Sequence, residues 1–203
     1  MKEHKSTVYS EPQKDFNLSV FAWEGCLNDE DKLEIDSIAK QYGIKFEQVG
    51  SENAGPRFYN AIPDWISIFA DPNVVNTILL NLSTDIMYDG LKMVLLKIVD
   101  KLLAKKRTMV SSNGKGELNK EETGTALELK KDGVSVYLKF DHPLTPVELE
   151  AYFVVFRNLE RQLKNDSVSP KKDWVIFQDK HGKINFQKMI SYLMAQSKKN
   201  SSE

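Results

Sequence analysis

FNLSVFAWEGCLNDEDKLEIDSIAKQYGIKFEQV, residues 16–49, carries a complete strand–helix–strand signature. From Phe16 to Trp23 the apolar Phe16, Leu18, Val20 and Ala22 alternate with Asn17, Ser19, Phe21 and Trp23, the period of a strand with one apolar face. Asn28 then suits an N-cap, and Asp29, Glu30 and Asp31 place negative charge in the first turn, where the macrodipole favours it. Gly43 suits the left-handed residue just past a helix end. Between the caps, Ile35, Ile38, Ala39 and Tyr42 share one helical face. Ile44 to Val49 reads as a second strand, and a parallel pairing with the first implies a right-handed crossover.

Two further units lie toward the C-terminus. Thr125–Lys130 and Val134–Phe140 alternate like strands and meet at Asp132-Gly133, a strong hairpin signal. The helix behind them opens with a capping box of Thr145, Pro146 and Glu148, and Leu149, Tyr152, Phe153, Phe156, Leu159 and Leu163 form its apolar stripe. Trp174–Phe177 and Lys183–Phe186 make a second hairpin turning at Asp179-Lys180-His181-Gly182, followed by a last helix over about 186–196.

The middle of the chain is harder to read. Residues 50–62 (GSENAGPRFYNAI) form a loop, and a helical segment is expected over about 63–105. Pro63 and Pro72 each suit the first position of a helix, the second with Asp71 as N-cap. Val75, Ile78, Leu79, Leu82 and Ile86 share a side; after Gly90, the residues Leu91, Leu95, Ile98, Val99 and Leu102 lie nearly opposite. That reversal predicts a break or kink near Asp89-Gly90, or one long helix held by different neighbours along its length. Residues 106–124, with Gly114, Gly116 and Gly124, read as a mobile loop. Residues 1–14 and 197–203 read as flexible tails, leaving 15–196 as a single domain. The expected class is α+β: a mixed or antiparallel sheet built from a β-α-β unit and two β-hairpin-α units, with helices mainly on one face.

Composition narrows the function classes. The 203 residues include 28 basic and 29 acidic ones, a balance that calls for no nucleic acid or other polyanion as partner. Cys26 is the single cysteine, so an internal disulfide is excluded. With a polar N-terminal stretch and no apolar run of membrane-spanning length, the expected location is cytoplasmic. Phosphate-loop, dinucleotide, zinc-protease, nucleophile-elbow and C-x-x-C motifs are all missing, so no catalytic, cofactor or metal residue is assigned. His4, His142 and His181 are scattered; Asp141-His142 reads as a helix-entry turn, and Cys26 as a small buried apolar residue.

Two constellations remain as ligand-binding candidates. Asn81, Asp85, Tyr88, Asp89 and Lys92 recur at three- and four-residue spacing, a narrow polar stripe on a helix. Facing water, it is simply the wet side of that helix, which is the expected reading; buried, its acids need a cation or hydrogen-bond donors. The second candidate is Arg57, between Pro56 and Phe58-Tyr59, which could grip a carboxylate or phosphate in a bidentate manner.

The leading expectation is a non-catalytic interaction or regulatory module acting through self-association or a protein partner. Its motive is the apolar helical surface between Ile62 and Leu103, larger than one face of a small sheet obviously covers. The competing expectation is a binder of a small anionic molecule, or an enzyme of unrecognised type, using Arg57 with Asp85 and Asp89. Peripheral membrane contact through the basic run Lys101 to Arg107 ranks lowest, because cations there also complement a helix C-terminus.

Overall fold

The computed structural model describes residues 16–22, 26–50, 66–80, 86–105, 108–112, 118–122, 125–165 and 173–200. The N-terminal unit forms as its pattern requires: β1 (Phe16–Ala22), α1 (Asp29–Gln41) and β2 (Ile44–Gly50), with β1 and β2 parallel and Leu18 opposite Phe46. Asn28 and Asp31 close a reciprocal capping box, in which the Asn28 side chain accepts the Asp31 N–H at 2.7 Å and the Asp31 carboxylate accepts the Asn28 N–H at 3.3 Å. Gly43, at φ +65°, turns the chain from helix into strand.

Residues 66–70, expected within the helical segment, are instead β3 (Ile66–Ala70), antiparallel to β1 and parallel to β6 (Thr125–Lys131). Ile66 and Ile68 are buried while Phe69 is partly exposed, a period of two that five residues are too few to advertise. The helix signal at Pro72 holds. One Asp71 oxygen accepts the Val74 N–H at 2.9 Å to cap α2 (Pro72–Leu80), and the other accepts the Asn17 N–H of β1 at 2.6 Å.

The reversal of the apolar face is a change of helix. A second helix, α3 (Ile86–Ala104), follows α2, residues 81–85 lying outside the described residues, and α3 runs on through Gly90 without a break. Gly90 lies inside α3 and is buried because the Tyr42 ring packs directly on it; an added Cβ would overlap the ring. Most apolar residues of both helices are buried within the chain, Leu80 and Met93 being exposed: α2 packs on β1, β6 and α4 (Pro146–Asn165), while α3 packs on α1 and α4. The surplus apolar surface that motivated a partner is therefore largely covered internally. Of the described stripe-sharing residues, Ile86 is the exception, at 75% exposed.

Residues 106–124, expected as a loop, contain a hairpin of their own, β4 (Thr108–Ser112) antiparallel to β5 (Leu118–Glu122), separate from the main sheet. The turn from β6 into β7 (Val134–Phe140) uses Asp132 at φ +49° and Gly133 at φ +80°, the left-handed pair a tight hairpin demands. The chain closes with β8 (Trp174–Gln178), β9 (Ile184–Lys188) and α5 (Met189–Asn200).

The result is an α+β fold around a seven-stranded mixed sheet in the order β2-β1-β3-β6-β7-β8-β9. Helices α1 to α4 cover one face, over Leu18, Val20, Ile68, Leu127, Leu138 and Ile176. On the other face, among the described residues, α5 packs, setting Met189 and Tyr192 against Ala126, Tyr137 and Val175. A row of ion pairs locks α1 to α3. Lys97 meets Glu34, Lys101 bridges Glu34 at 2.8 Å and Asp31 at 2.9 Å, and Lys105 reaches Asp31 at 3.2 Å. The hydrogen bond from Lys101 holds the Asp31 carboxyl below its ordinary range despite the opposing effect of burial. Two lysines of the basic run are thus already partnered. Among the described residues no helix is long and apolar enough to cross a membrane.

Gly90→Ala should destabilise the protein by about 1–3 kcal/mol, because the steric overlap with Tyr42 exceeds the modest gain in helix propensity. Urea unfolding checks this, and adding Tyr42→Ala should make the second substitution cost less than it does alone.

Candidate functional site

Of the residues singled out from the sequence, Arg57, Asn81 and Asp85 lie outside the described residues. Tyr88, Asp89 and Lys92 occupy the first turns of α3. Asp89 faces water as expected, with its side chain 63% exposed, and pairs with Lys92 at 3.0 Å. Tyr88 does not: it is fully buried and belongs to a network assembled from three helices. Its hydroxyl donates to the Glu150 carboxylate of α4 at 2.6 Å and accepts from the Arg157 guanidinium at 3.2 Å. Arg157 also donates to the other Glu150 oxygen at 2.7 Å and to the backbone carbonyl of Ile78, near the end of α2, at 3.2 Å. Lys92 lies 4.6 Å from the centre of the Tyr88 ring and 3.7 Å from Glu150.

Burial, with the nearby carboxylate adding to it, pushes the Tyr88 phenol up to about 12. For Glu150, burial acts to raise the carboxyl, but hydrogen bonds from Arg157 and Tyr88 outweigh it and leave it below its ordinary range. Each cation here already has its anion. The cluster is a buried structural joint, and only Asp89 of the described stripe residues stands open to solvent.

The open concave surface lies elsewhere, along an edge of the sheet. Among the described residues β9 pairs with β8 alone and no strand lies on its far side, and a groove of about 530 Å³ runs between β9 and α4. Its apolar floor is Val155, Ile184 and Phe186; Asn158, Arg161, Gln162 and Lys183 supply polar groups, and among the described residues no carboxylate lines it. Among the described residues neither Arg161 nor Lys183 is held in an ion pair. The turn leading into β9 is rigidly built. The Asp179 carboxylate accepts the N–H groups of His181 at 2.9 Å and Lys183 at 3.0 Å, which hold it below its ordinary range.

The register shows which backbone groups face outward. Asp179 donates its N–H to the Lys183 carbonyl, and Met189 donates to the Asp173 carbonyl. Hydrogen-bonded pairs alternate along an antiparallel ladder, so Asn185 and Gln187 turn their backbone groups toward β8. Ile184, Phe186 and Lys188 then direct theirs to the open edge. The opposite edge, β2, has its own groove of about 500 Å³ against α1, lined by Asp29, Lys32, Asp36 and Glu47. Within the strand β2 carries the exposed charges Lys45 and Glu47, which discourage added strands, whereas the only charge within β9 is the terminal Lys188.

Sequence reasoning passed over Arg157, Glu150 and the β9 groove. A signal for the first pair existed: Glu150 and Arg157 stand seven residues apart, on the border of the apolar stripe of α4. The groove had none, since it depends on which strand ends up at the edge. Among the described residues no group of three or more His, Cys, Asp or Glu gathers to hold a metal ion. Compared with protein-family models, curated proteins and solved structures, the chain matches none of them.

Arg157→Met should cost about 3 kcal/mol in chemical unfolding, because it strands Glu150 and the Ile78 carbonyl at once. A carboxyl held below its unfolded value stabilises the fold above the ordinary glutamate range, and that contribution is lost as pH falls through the folded pKa. Melting curves between pH 7 and 3 should therefore fall less steeply for Glu150→Gln than for the native protein.

Proposed function

We propose that this protein is a non-catalytic binding module that takes up an extended segment of a partner protein as an added strand on β9. The observation that carries the reading is the unguarded edge: alternate backbone groups at Ile184, Phe186 and Lys188 point outward beside a groove roofed by α4. In this mode main-chain hydrogen bonds provide the affinity and pockets for alternate side chains provide selectivity. A single buried cysteine fits a reducing, cytoplasmic setting for such a module.

The test is a displayed library of random twelve-residue peptides selected on the full chain. Binders should lose affinity on Ile184→Pro, which removes an outward N–H that β8 does not use. Asn185→Pro, by contrast, removes a ladder donor and should lower the melting temperature. Ile184→Pro binding every selected peptide as the native protein does, with the same melting temperature, would exclude β9 as the docking edge.

A further inference from the structure

We infer that the segment received at β9 is acidic, with a carboxylate side chain next to an apolar one on the face turned toward α4; this rests on the strand-addition reading above. An added strand points every second side chain into the groove. There it would meet a floor of Val155, Ile184 and Phe186 and the two cations Arg161 and Lys183. The Asn185 amide offers nothing further, because it is already donated to the Asp179 carboxylate at 2.8 Å and to the Lys183 carbonyl at 3.2 Å. Among the described residues no carboxylate lines the groove, so a basic or wholly apolar segment would leave both cations uncompensated by them.

The same charges argue against a second copy of this chain as the occupant. A two-fold pairing of β9 with β9 is isologous and would bring two cationic grooves together. The β2 edge of another copy carries acidic residues, but Lys45 and Glu47 guard it and two of its groove acids are held locally. Asp36 pairs with Lys40 at 2.5 Å and Asp29 with Lys32 at 3.6 Å.

The experiment sequences the library pool selected on the native chain and repeats the selection on the double variant Arg161→Glu, Lys183→Glu. Native binders should be enriched in Asp and Glu and weaken about tenfold on the double variant, where two attractions become two repulsions. The variant's own pool should be enriched in Lys and Arg. Binders that need Ile184 but show no charge preference would overturn the acidic inference and leave strand addition standing. Binders insensitive to Ile184→Pro would overturn both. Acidic binders that the double variant holds as tightly would overturn the assignment to Arg161 and Lys183. A chain that yields no binders but grows in mass with concentration, by sedimentation, would replace the acidic segment with a second copy.

Discussion

Arg157 reaches three helices from one point. It donates to the Ile78 carbonyl near the end of α2, to the Tyr88 hydroxyl in the first turn of α3, and to Glu150 one face along its own α4. The last carbonyls of any helix lack an intrahelical donor and carry the negative end of the macrodipole. At the end of α2 a buried guanidinium supplies the donor and the charge together. The same side chain thereby ties α2, which lies on the sheet, to α3, which packs against α1. A guanidinium only 8% exposed would be costly without a counter-charge, and Glu150 provides it. Tyr88, buried in full, completes the set by donating to the same carboxylate.

The second long-range clamp works differently. Asp31 serves twice, closing the capping box of α1 and receiving Lys101 and Lys105 from the far end of α3. Lys101 lies in the last turn of α3 and Lys105 immediately beyond its end, where cations also complement the dipole. The basic run at the end of this helix thus finds acidic partners inside the molecule. With α1 to α4 gathered on one face, the sheet is closed above and only lightly covered below, where α5 packs over β6, β7 and β8.

This distribution of helices is what shapes the β9 edge. α4 lies over β8 and β9 without covering the outer margin, and the Asp179 turn fixes the entry into the strand. The two sheet edges consequently differ in character. Among the described residues, β2 is flanked by a groove with three carboxylates and one lysine, β9 by a groove with two cations and no carboxylate. A charge near zero for the whole chain conceals that asymmetry, since the edges belong to segments nearly 140 residues apart in sequence (~140, from residue 44 to residue 184).

Local chemistry was readable from the sequence alone. The N-caps at Asn28 and Asp71, the capping box at Thr145 and the Asp132-Gly133 turn rest on contacts between residues two to four apart, and each formed where its residues stood. What the sequence could not show was decided by separation along the chain. β3 is a strand because β1 and β6 leave a slot between them, a condition invisible in the five residues Ile66–Ala70. Tyr88 is buried because Glu150 and Arg157, 62 and 69 residues away, receive it, and not because of any neighbour on its own helix. The fold class, the helix caps and the tight turns thus came from the sequence; strand β3, the split of the long helical segment, the joint at Arg157 and the place of β9 at the end of the sheet came from tertiary packing, which alone determines which distant groups share a buried space.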